Sequence, residues 1–341
     1  MASDDSVVMA HGGGGQLTDQ LIHQHILPRL GNPTLSLLGD SAVLPPSFND
    51  RVALTIDSYV VQPWRFPGGD VGRIAVCGTV NDLSVTGATP RGIALGIVVS
   101  EGFSLRDLDR VLASVAGAAA EADVDVVAGD TKVVDYHDPP EIMLTTAGVG
   151  YRPFSYRPML DRVHPGDKLL INGPVGDHGL AVMLARELPE MQVALRSDAA
   201  PLNHLIARCL SRTHEGVVFM RDATRGGLAG VTADIAQSTG LHVVLDESAI
   251  PIRPAARHAA DLLGLDPLEI ANEGKLVMIA RPAAVDTLLM EMDGYGGDPW
   301  ERPRVIGEIT DIRDGLCELI TTLGGRRILQ KPYGEELPRI C

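Results

Sequence analysis

The longest regular pattern in the chain is helical. Over residues 104–122, Leu105, Leu108, Leu112, Val115 and Ala119 recur at spacings of three and four, which predicts one buried helix face. Ser104 stands at its start as a cap, with Asp107 three residues on. Shorter apolar runs surround it. Residues 51–57 form a strand pattern that ends on a carboxylate, 91–100 are rich in Ile, Val and Leu, and 141–150 form a further strand. Residues 125–132 read as a short buried strand broken at Gly129. Residues 74–83 predict a helix whose small side chains permit close packing, and Thr18 caps a helix over about 19–30.

A second series of the same kind follows. Strands are predicted at 168–172, 217–222, 242–245, 276–280 and near Val305 and Leu319. Helices are predicted from the turn 173–179 through Glu187 and at 228–237, 254–263 and 283–292. Between the two series, residues 151–167 carry Pro153, Pro158, Pro165 and Gly166, which marks a domain boundary. Strands and helices alternate in both halves, so the class is α/β or α+β. The organisation read from the chain is a glycine-rich lead and helix at 1–36, a first domain at 37–152, a second at 160–329 and a tail at 330–341.

Composition narrows the partners. Hydrophobic residues make up 45% of 341, enough for two cores. A net charge of −15 with only 4% aromatics argues against nucleic acid and anionic membrane. The start, Met1 to Asp5, is acidic without an apolar stretch, and no run approaches the roughly 18 apolar residues of a spanning helix. The expectation is a soluble cytoplasmic protein. The four cysteines, Cys77, Cys209, Cys317 and Cys341, form no CxxC pair, so neither a zinc site nor a disulfide framework is suggested. Cys77 and Cys209 sit among apolar neighbours and read as core thiols.

Three features carry candidate chemistry. The chain ends Pro338-Arg339-Ile340-Cys341, and residues 331–341 together hold two prolines and a glycine, which suits an extended arm. A thiol there reads as a covalent carrier that delivers a small group to the body; the plainer alternative is a surface cysteine that happens to end the chain. Gly12, Gly13, Gly14 and Gly15 give a backbone able to wrap an anion with its N–H groups, or a linker. Asp40, Asp57, Asp82, Asp130 and Asp222 each end an apolar element or sit in a glycine turn. Singly each is an ordinary turn residue. Together, with no matching basic cluster, they suggest a hard cation, and magnesium with a nucleotide is the inference. His178, in a glycine-rich turn, either caps that turn or touches ATP.

The motifs then match a family. Met9-Ala10-His11-Gly12, Phe66-Pro67-Gly68-Gly69, Gly78-Thr79-Val80-Asn81-Asp82-Leu83 and Gly129-Asp130-Thr131-Lys132-Val133-Val134 are part of the match. Gly176-Asp177-His178-Gly179, Arg221-Asp222-Ala223-Thr224-Arg225-Gly226-Gly227, Ala271-Asn272-Glu273-Gly274-Lys275 and the terminal Pro-Arg-Ile-Cys complete it. The chain closely resembles the hydrogenase-maturation carbamoyl dehydratases, the HypE family, over nearly its whole length. These belong to the ATP-dependent superfamily that includes aminoimidazole ribonucleotide synthetase. The aspartate turns are shared across the superfamily, and the terminal cysteine motif is specific to the family. One departure is Ser41 after Gly39-Asp40, where many superfamily members have a second Asp.

The resemblance implies a two-domain PurM-like fold whose N-terminal halves form a barrel at a homodimer interface, with ATP in a nearby cleft. It implies that Cys341 receives a carbamoyl group from a HypF-type carbamoyltransferase. ATP then phosphorylates the carbamoyl oxygen, and loss of the N–H proton with phosphate leaves a thiocyanate. The cyano group passes to a HypC–HypD-type scaffold that builds the Fe(CN)₂CO centre of nickel–iron hydrogenases. Glu273 is the candidate base and Lys132 the candidate positive charge near the activated oxygen. Asp40, Asp57, Asp82 and Asp130 are the candidate metal ligands. The rival readings are a small-molecule kinase or ligase of the same superfamily, and a scaffold that only displays Cys341.

Overall fold

The computed structural model describes residues 15–26, 35–38, 42–43, 50–135, 141–153, 155–191, 194–293, 299–331 and 340. The sequence readings at Gly12, Gly13, Gly14, Asp40, Ser41 and Cys341 lie outside these residues.

The first unit begins with α1 (Gln16–Leu21), which runs on into a π-helical turn to Ile26. Strands β1 (Ala42–Val43) and β2 (Asp50–Tyr59) follow, then the short ribbon β3 (Arg65–Phe66) and β4 (Gly69–Asp70). Helix α2 (Val71–Val85) comes next, then β5 (Thr89–Ser100), α3 (Leu105–Glu121), β6 (Asp125–Val134) and β7 (Ile142–Pro153). The sheet order is β1-β2-β7-β5-β6, antiparallel except for the β5–β6 pair. Helix α2 is made of residues with weak helix propensity, including Gly72, Gly78 and several β-branched side chains. Burial overrides that weakness. Ile74, Ala75, Val76, Cys77, Val80 and Leu83 lose all their accessible surface, and each large side chain gains roughly 1.5–3 kcal/mol by doing so. Asp70 caps the helix by accepting from the Arg73 amide at 3.0 Å.

Two sequence expectations need correction here. Residues 125–134 do form a strand, but it is exposed along nearly its whole length, because β6 is the sheet edge and, among the described residues, pairs only with β5. On α3 the buried face is Val111, Val115, Ala118 and Ala119, leaving Leu105 and Leu112 exposed. The buried stripe is therefore rotated from the one the leucines trace. Ser104 stands at the N-cap without a side-chain capping bond. Asp107 pairs with Arg110 at 2.6 Å.

The second unit opens with β8 (Lys168–Ile171), α4 (Asp177–Glu187), α5 (Asn203–Thr213), β9 (Val217–Asp222) and α6 (Gly227–Thr239). It continues with β10 (Val243–Asp246), α7 (Pro254–Leu263), β11 (Leu276–Ala280) and α8 (Val285–Asp293). It closes with β12 (Arg304–Ile309), β13 (Cys317–Ile320) and β14 (Arg326–Leu329). Its sheet runs β14-β13-β10-β12-β8-β11-β9. The central strands are buried on both faces. Val277 and Ile279 of β11 enter one core, while Leu276, Met278 and Ala280 enter another on the opposite face. This is the period-two alternation of a strand with both sides covered, and it explains why residues 276–280 read as an unbroken apolar run.

Candidate active site

The predicted aspartates and Glu273 come from elements of both units. Asp57 and Tyr59 lie at the end of β2, and Asp82 is late in α2. Asp222 ends β9, and Glu273 sits in the loop before β11. A fifth segment, residues 195–202, runs between them and was not singled out in the sequence.

Three asparagine side chains fix this junction. Asn81 donates from Nδ2 to the carbonyl oxygens of Ala200 (3.1 Å) and Glu273 (3.3 Å), and its Oδ1 accepts from the Leu202 amide at 2.7 Å. Asn272 accepts from the Gly176 amide at 2.8 Å and donates to the carbonyls of Ala223 and Ile270. Asn172 donates to the Gly274 carbonyl and accepts from the Leu276 amide. Gly274 is glycine for a steric reason: a Cβ there would lie 2.1 Å from the Asp198 carbonyl oxygen.

Glu273 is thus held by its backbone. Its amide donates to Asp198 Oδ1 at 3.0 Å, and its carbonyl accepts from the Ala200 amide and from Asn81. The side chain is 2% exposed, and its Oε2 has no hydrogen-bond partner among the described residues. Burial raises its pKa well above the usual carboxylate range; Asp222, Asp198 and Asp57 add to this, and Arg225 partly offsets it. Pairing of an exposed Glu273 with Lys275 is not what the fold builds. Lys275 is itself buried and lies 3.3 Å from Asp198 and 3.5 Å from Glu301. Burial lowers the Lys275 pKa, but Asp198, Glu301 and Asp177 outweigh it and the net shift is upward. Asp198 therefore both orients Glu273 and neutralises Lys275.

Asp82 accepts from the Thr55 hydroxyl at 2.7 Å. Asp57 accepts from the Ser58 amide at 3.1 Å. Burial raises the pKa of the Tyr59 phenol well above its usual value, and Asp57, Asp82 and Glu273 add to this. Among the described residues no three His, Cys, Asp or Glu side chains converge as a metal-holding group. Asp57 and Asp82 nevertheless offer oxygen donors alone. This fits magnesium, which is commonly held by one or two carboxylates with phosphate oxygens and waters completing its shell.

Asp130 and Lys132 stand apart. They lie on the edge strand β6, opposite Gly96 and Val98 of β5, three strands from Asp57 in the sheet. They form an exposed ion pair with Nζ to Oδ2 at 3.1 Å, and hydrogen bonding from Lys132 lowers the Asp130 pKa. Gly15 is buried, and its carbonyl accepts from the Asp19 amide.

His178, the second residue of α4, is completely buried. Its Nε2 lies 3.1 Å from the carbonyl oxygen of Ile340, and its Nδ1 lies 2.8 Å from Ser197 Oγ. A carbonyl only accepts, so Nε2 carries the proton. Burial lowers the His178 pKa and favours the neutral ring, so Nδ1 accepts from the Ser197 hydroxyl. The Phe66 ring meets the imidazole edge to face at 5.3 Å. Ile340 is 4% exposed and belongs to the core that also contains Tyr59, Ala199 and Ala271. Ala199 adjoins Asp198, and Ala271 immediately precedes Asn272 and Glu273. The penultimate residue is therefore docked beside the loop that carries Glu273. No single-residue signal in the sequence gave this contact, although both ends of it lie in the motifs Gly-Asp-His-Gly and Pro-Arg-Ile-Cys.

The described cysteines are a contrast. Cys77, Cys209 and Cys317 are buried, and burial pushes the first two up to about 12 and the third to about 11. These thiols are poor nucleophiles.

The chain matches the family descriptions "AIR synthase related protein, N-terminal domain" over residues 38–151 and "AIR synthase related protein, C-terminal domain" over residues 164–315. It is 42% identical to the carbamoyl dehydratase HypE of Cupriavidus necator over 334 residues, covering 98% of this chain and 94% of that protein. Among solved structures it is similar to HypE in a HypE–HypF complex, with a TM-score of 0.84, 36% identity and coverage of 92% and 99% of the two chains. It is also similar to HypE in complex with ATP, with a TM-score of 0.80, 37% identity and coverage of 98% and 100%.

Proposed function

The chain belongs to the HypE carbamoyl dehydratase family, and from that premise we propose which of its residues carry out the reaction. The protein is an ATP-dependent carbamoyl dehydratase of hydrogenase maturation. The cyanide ligands of the nickel–iron hydrogenase Fe(CN)₂CO centre are the destination of the product.

In this reading Cys341 carries the carbamoyl group as a thiocarbamate. The oxygen leaves as part of phosphate after transfer of the γ-phosphoryl group of ATP. Two N–H protons are lost, and the product is a thiocyanate on the same sulfur. Glu273 takes a proton from nitrogen. Its raised pKa brings a carboxylate closer to the basicity such a step needs, and its clamped backbone leaves one oxygen free to accept. Asp57 and Asp82 would hold magnesium, with Asp40 as a further ligand. The ion supplies charge neutralisation at the transferred phosphoryl group. Asp222, Gly12, Gly13, Gly14 and Gly15 complete the proposed nucleotide site. His178 serves it by seating the chain end.

The observation that carries the reading is the burial of Ile340 at His178. The carbonyl that His178 binds is the one joined to the Cys341 amide nitrogen. The three cysteines of the body are buried with raised pKa values, which leaves the terminal thiol as the fitting acceptor.

A HypF-type carbamoyltransferase is the partner that loads the thiol, and a HypC–HypD-type complex receives the cyano group. We place the protein in the cytoplasm; no helix among the described residues is long and apolar enough to cross a membrane. A homodimer through the first sheet is supported by its exposed apolar positions, among them Leu54, Ile56 and Val127, and by the outer edge of β6, which pairs with no further strand among the described residues. Pairing there is also how the proposed roles of Asp130 and Lys132 would be met, since both stand on that edge.

Intact mass of the full chain after incubation with carbamoyl donor, HypF-type partner and Mg-ATP tests the reading. The expected result is gain of one carbamoyl group followed by loss of one water, mapped to Cys341 and absent in Cys341→Ala. Modification of Cys77, Cys209 or Cys317 instead would remove the carrier role.

A further inference from the structure

Residues 197 and 198 touch both the docked chain end and the candidate base. Ser197 donates from Oγ to His178 Nδ1 at 2.8 Å, and His178 Nε2 donates to the Ile340 carbonyl at 3.1 Å. Asp198, the next residue, accepts at Oδ1 from the Glu273 amide at 3.0 Å. An unbroken path of hydrogen bonds and one peptide link therefore joins the chain end to the backbone of Glu273. The fold holds these two residues from both units. The Ser197 amide donates to the Pro67 carbonyl at 2.8 Å. Gly68, at φ +94°, passes so close that a Cβ on it would lie 2.6 Å from the Ser197 nitrogen. On the other side, a Cβ on Gly274 would meet the Asp198 carbonyl oxygen at 2.1 Å. Glycines of the Phe-Pro-Gly-Gly and Asn-Glu-Gly-Lys motifs thus make room for the same pair.

Charge balance alone does not explain where the Asp198 carboxylate sits. Its side chain is 2% exposed, and Oδ2 lies 3.3 Å from Lys275 Nζ. That ion pair offsets the cost of burying two charges. It does not require Oδ1 to stand at the amide of residue 273, where a charged acceptor is a stronger anchor than a neutral one.

We propose that Asp198 is a positioning residue of the dehydration: together with Ser197 it sets Glu273 in register with the chain end that carries the carbamoyl group. The inference rests on the carrier reading and on Glu273 as the base. Ile340 is joined directly to Cys341, so a fixed Ile340 carbonyl fixes the start of the residue that bears the group. From there to the carbamoyl nitrogen the path is short, through the Cys341 backbone and side chain alone. A constant separation between the Ile340 seat and residue 273 therefore limits where that nitrogen lies relative to the base. Proton transfer needs such placement, and a misplacement of about 1 Å can cost roughly 10²-fold in rate. Asp198 touches neither the nitrogen nor the proton; it acts through the Glu273 amide.

Two double variants of the full chain isolate the Oδ1 contact. Both carry Lys275→Met, which removes the buried ammonium together with its partner charge; one adds Asp198→Asn and the other Asp198→Ala. They share the same change in charge and differ in the acceptor offered to the Glu273 amide. Each is carbamoylated on Cys341, given Mg-ATP, and followed by melting temperature, ATP-induced melting shift and the infrared nitrile stretch. The expected result is nitrile formation roughly 10–100-fold slower with Asp198→Ala than with Asp198→Asn, at equal ATP-induced shifts. Adding Glu273→Gln to both abolishes that difference, because the base that Asp198 positions is gone; a residue that only held the fold would keep its effect. Ser197→Ala, which leaves every buried charge in place, slows nitrile formation roughly fivefold, the worth of one hydrogen bond, with a parental ATP-induced shift. Equal nitrile rates in the two double variants overturn the proposal, and so does a difference that persists beside Glu273→Gln. A parental nitrile rate in Ser197→Ala overturns it as well, whether or not the double variants fold. A parental rate in Glu273→Gln alone overturns the base assignment and takes the proposal with it, whereas failure of the parent protein to form any nitrile on Cys341 overturns the carrier reading.

Discussion

Replacing Glu273 by Gln separates proton removal from everything else the residue does. The backbone contacts of position 273, to Asp198, Ala200 and Asn81, do not involve its side chain and survive the change. The amide keeps the size of the carboxyl and loses only its capacity to take a proton at Oε2. Loss of a positioned base costs roughly 10²–10⁴ in rate, or about 2.7–5.4 kcal/mol on the barrier. Nitrile formation on carbamoylated protein, followed by its infrared stretch after ATP addition, is expected to slow by that factor. The ATP-induced melting shift and carbamoyl loading stay as in the parent. Stability changes in a pH-dependent direction. The folded pKa of Glu273 is raised, so its contribution to stability is fully present below the unfolded value near 4.5 and is lost as pH rises toward the folded value. Glu273→Gln removes that loss, so the variant melts at or above the parent at neutral pH, and the difference closes in acid. A near-native nitrile rate refutes the assignment of the base. Loss of ATP binding together with nitrile formation refutes the separation of roles.

Two further outcomes follow from the same junction. Asp82→Asn keeps a group able to accept from Thr55 but removes one anionic oxygen, so the Mg-ATP-induced melting shift is expected to shrink while the ligand-free melting temperature stays within about 1 kcal/mol of parental stability; an undiminished shift removes Asp82 from the site. His178→Leu preserves bulk and deletes the donor to Ile340, so carboxypeptidase should release Ile340 roughly fivefold faster, the equivalent of one hydrogen bond of about 1 kcal/mol; an unchanged release rate means His178 does not seat the chain end.

Much of this architecture was legible from patterning. Residues 276–280 and 217–222 read as strands because buried strands concentrate branched apolar residues, and the Asp57, Asp82 and Asp222 positions stood out because each ends an apolar run. What failed did so for tertiary reasons. Exposure of β6 depends on its place at the sheet edge, which no local period encodes. Helix α5 went unassigned although Leu205, Ile206, Cys209 and Leu210 carry a helical spacing, because polar and basic residues fill the positions between. Asp198 lies in a stretch without regular structure, and its importance comes only from the Glu273 amide and Lys275 ammonium that the fold brings to it.

The asparagine contacts that join α2 to residues 200–202 and to the Glu273 loop have a consequence for cooperativity. Further ties run alongside them: Arg73 donates to the Ala199 carbonyl, Ser197 to the Pro67 carbonyl and Asn203 to the Ala122 carbonyl. Separating the halves would strip partners from buried amides on both sides, so neither half is complete by itself, and the two melt as one unit. Such a junction is unsuited to jaw-like opening and closing. The group to be dehydrated must be brought in on the chain end, and the wall of the reaction space keeps its shape from one turnover to the next.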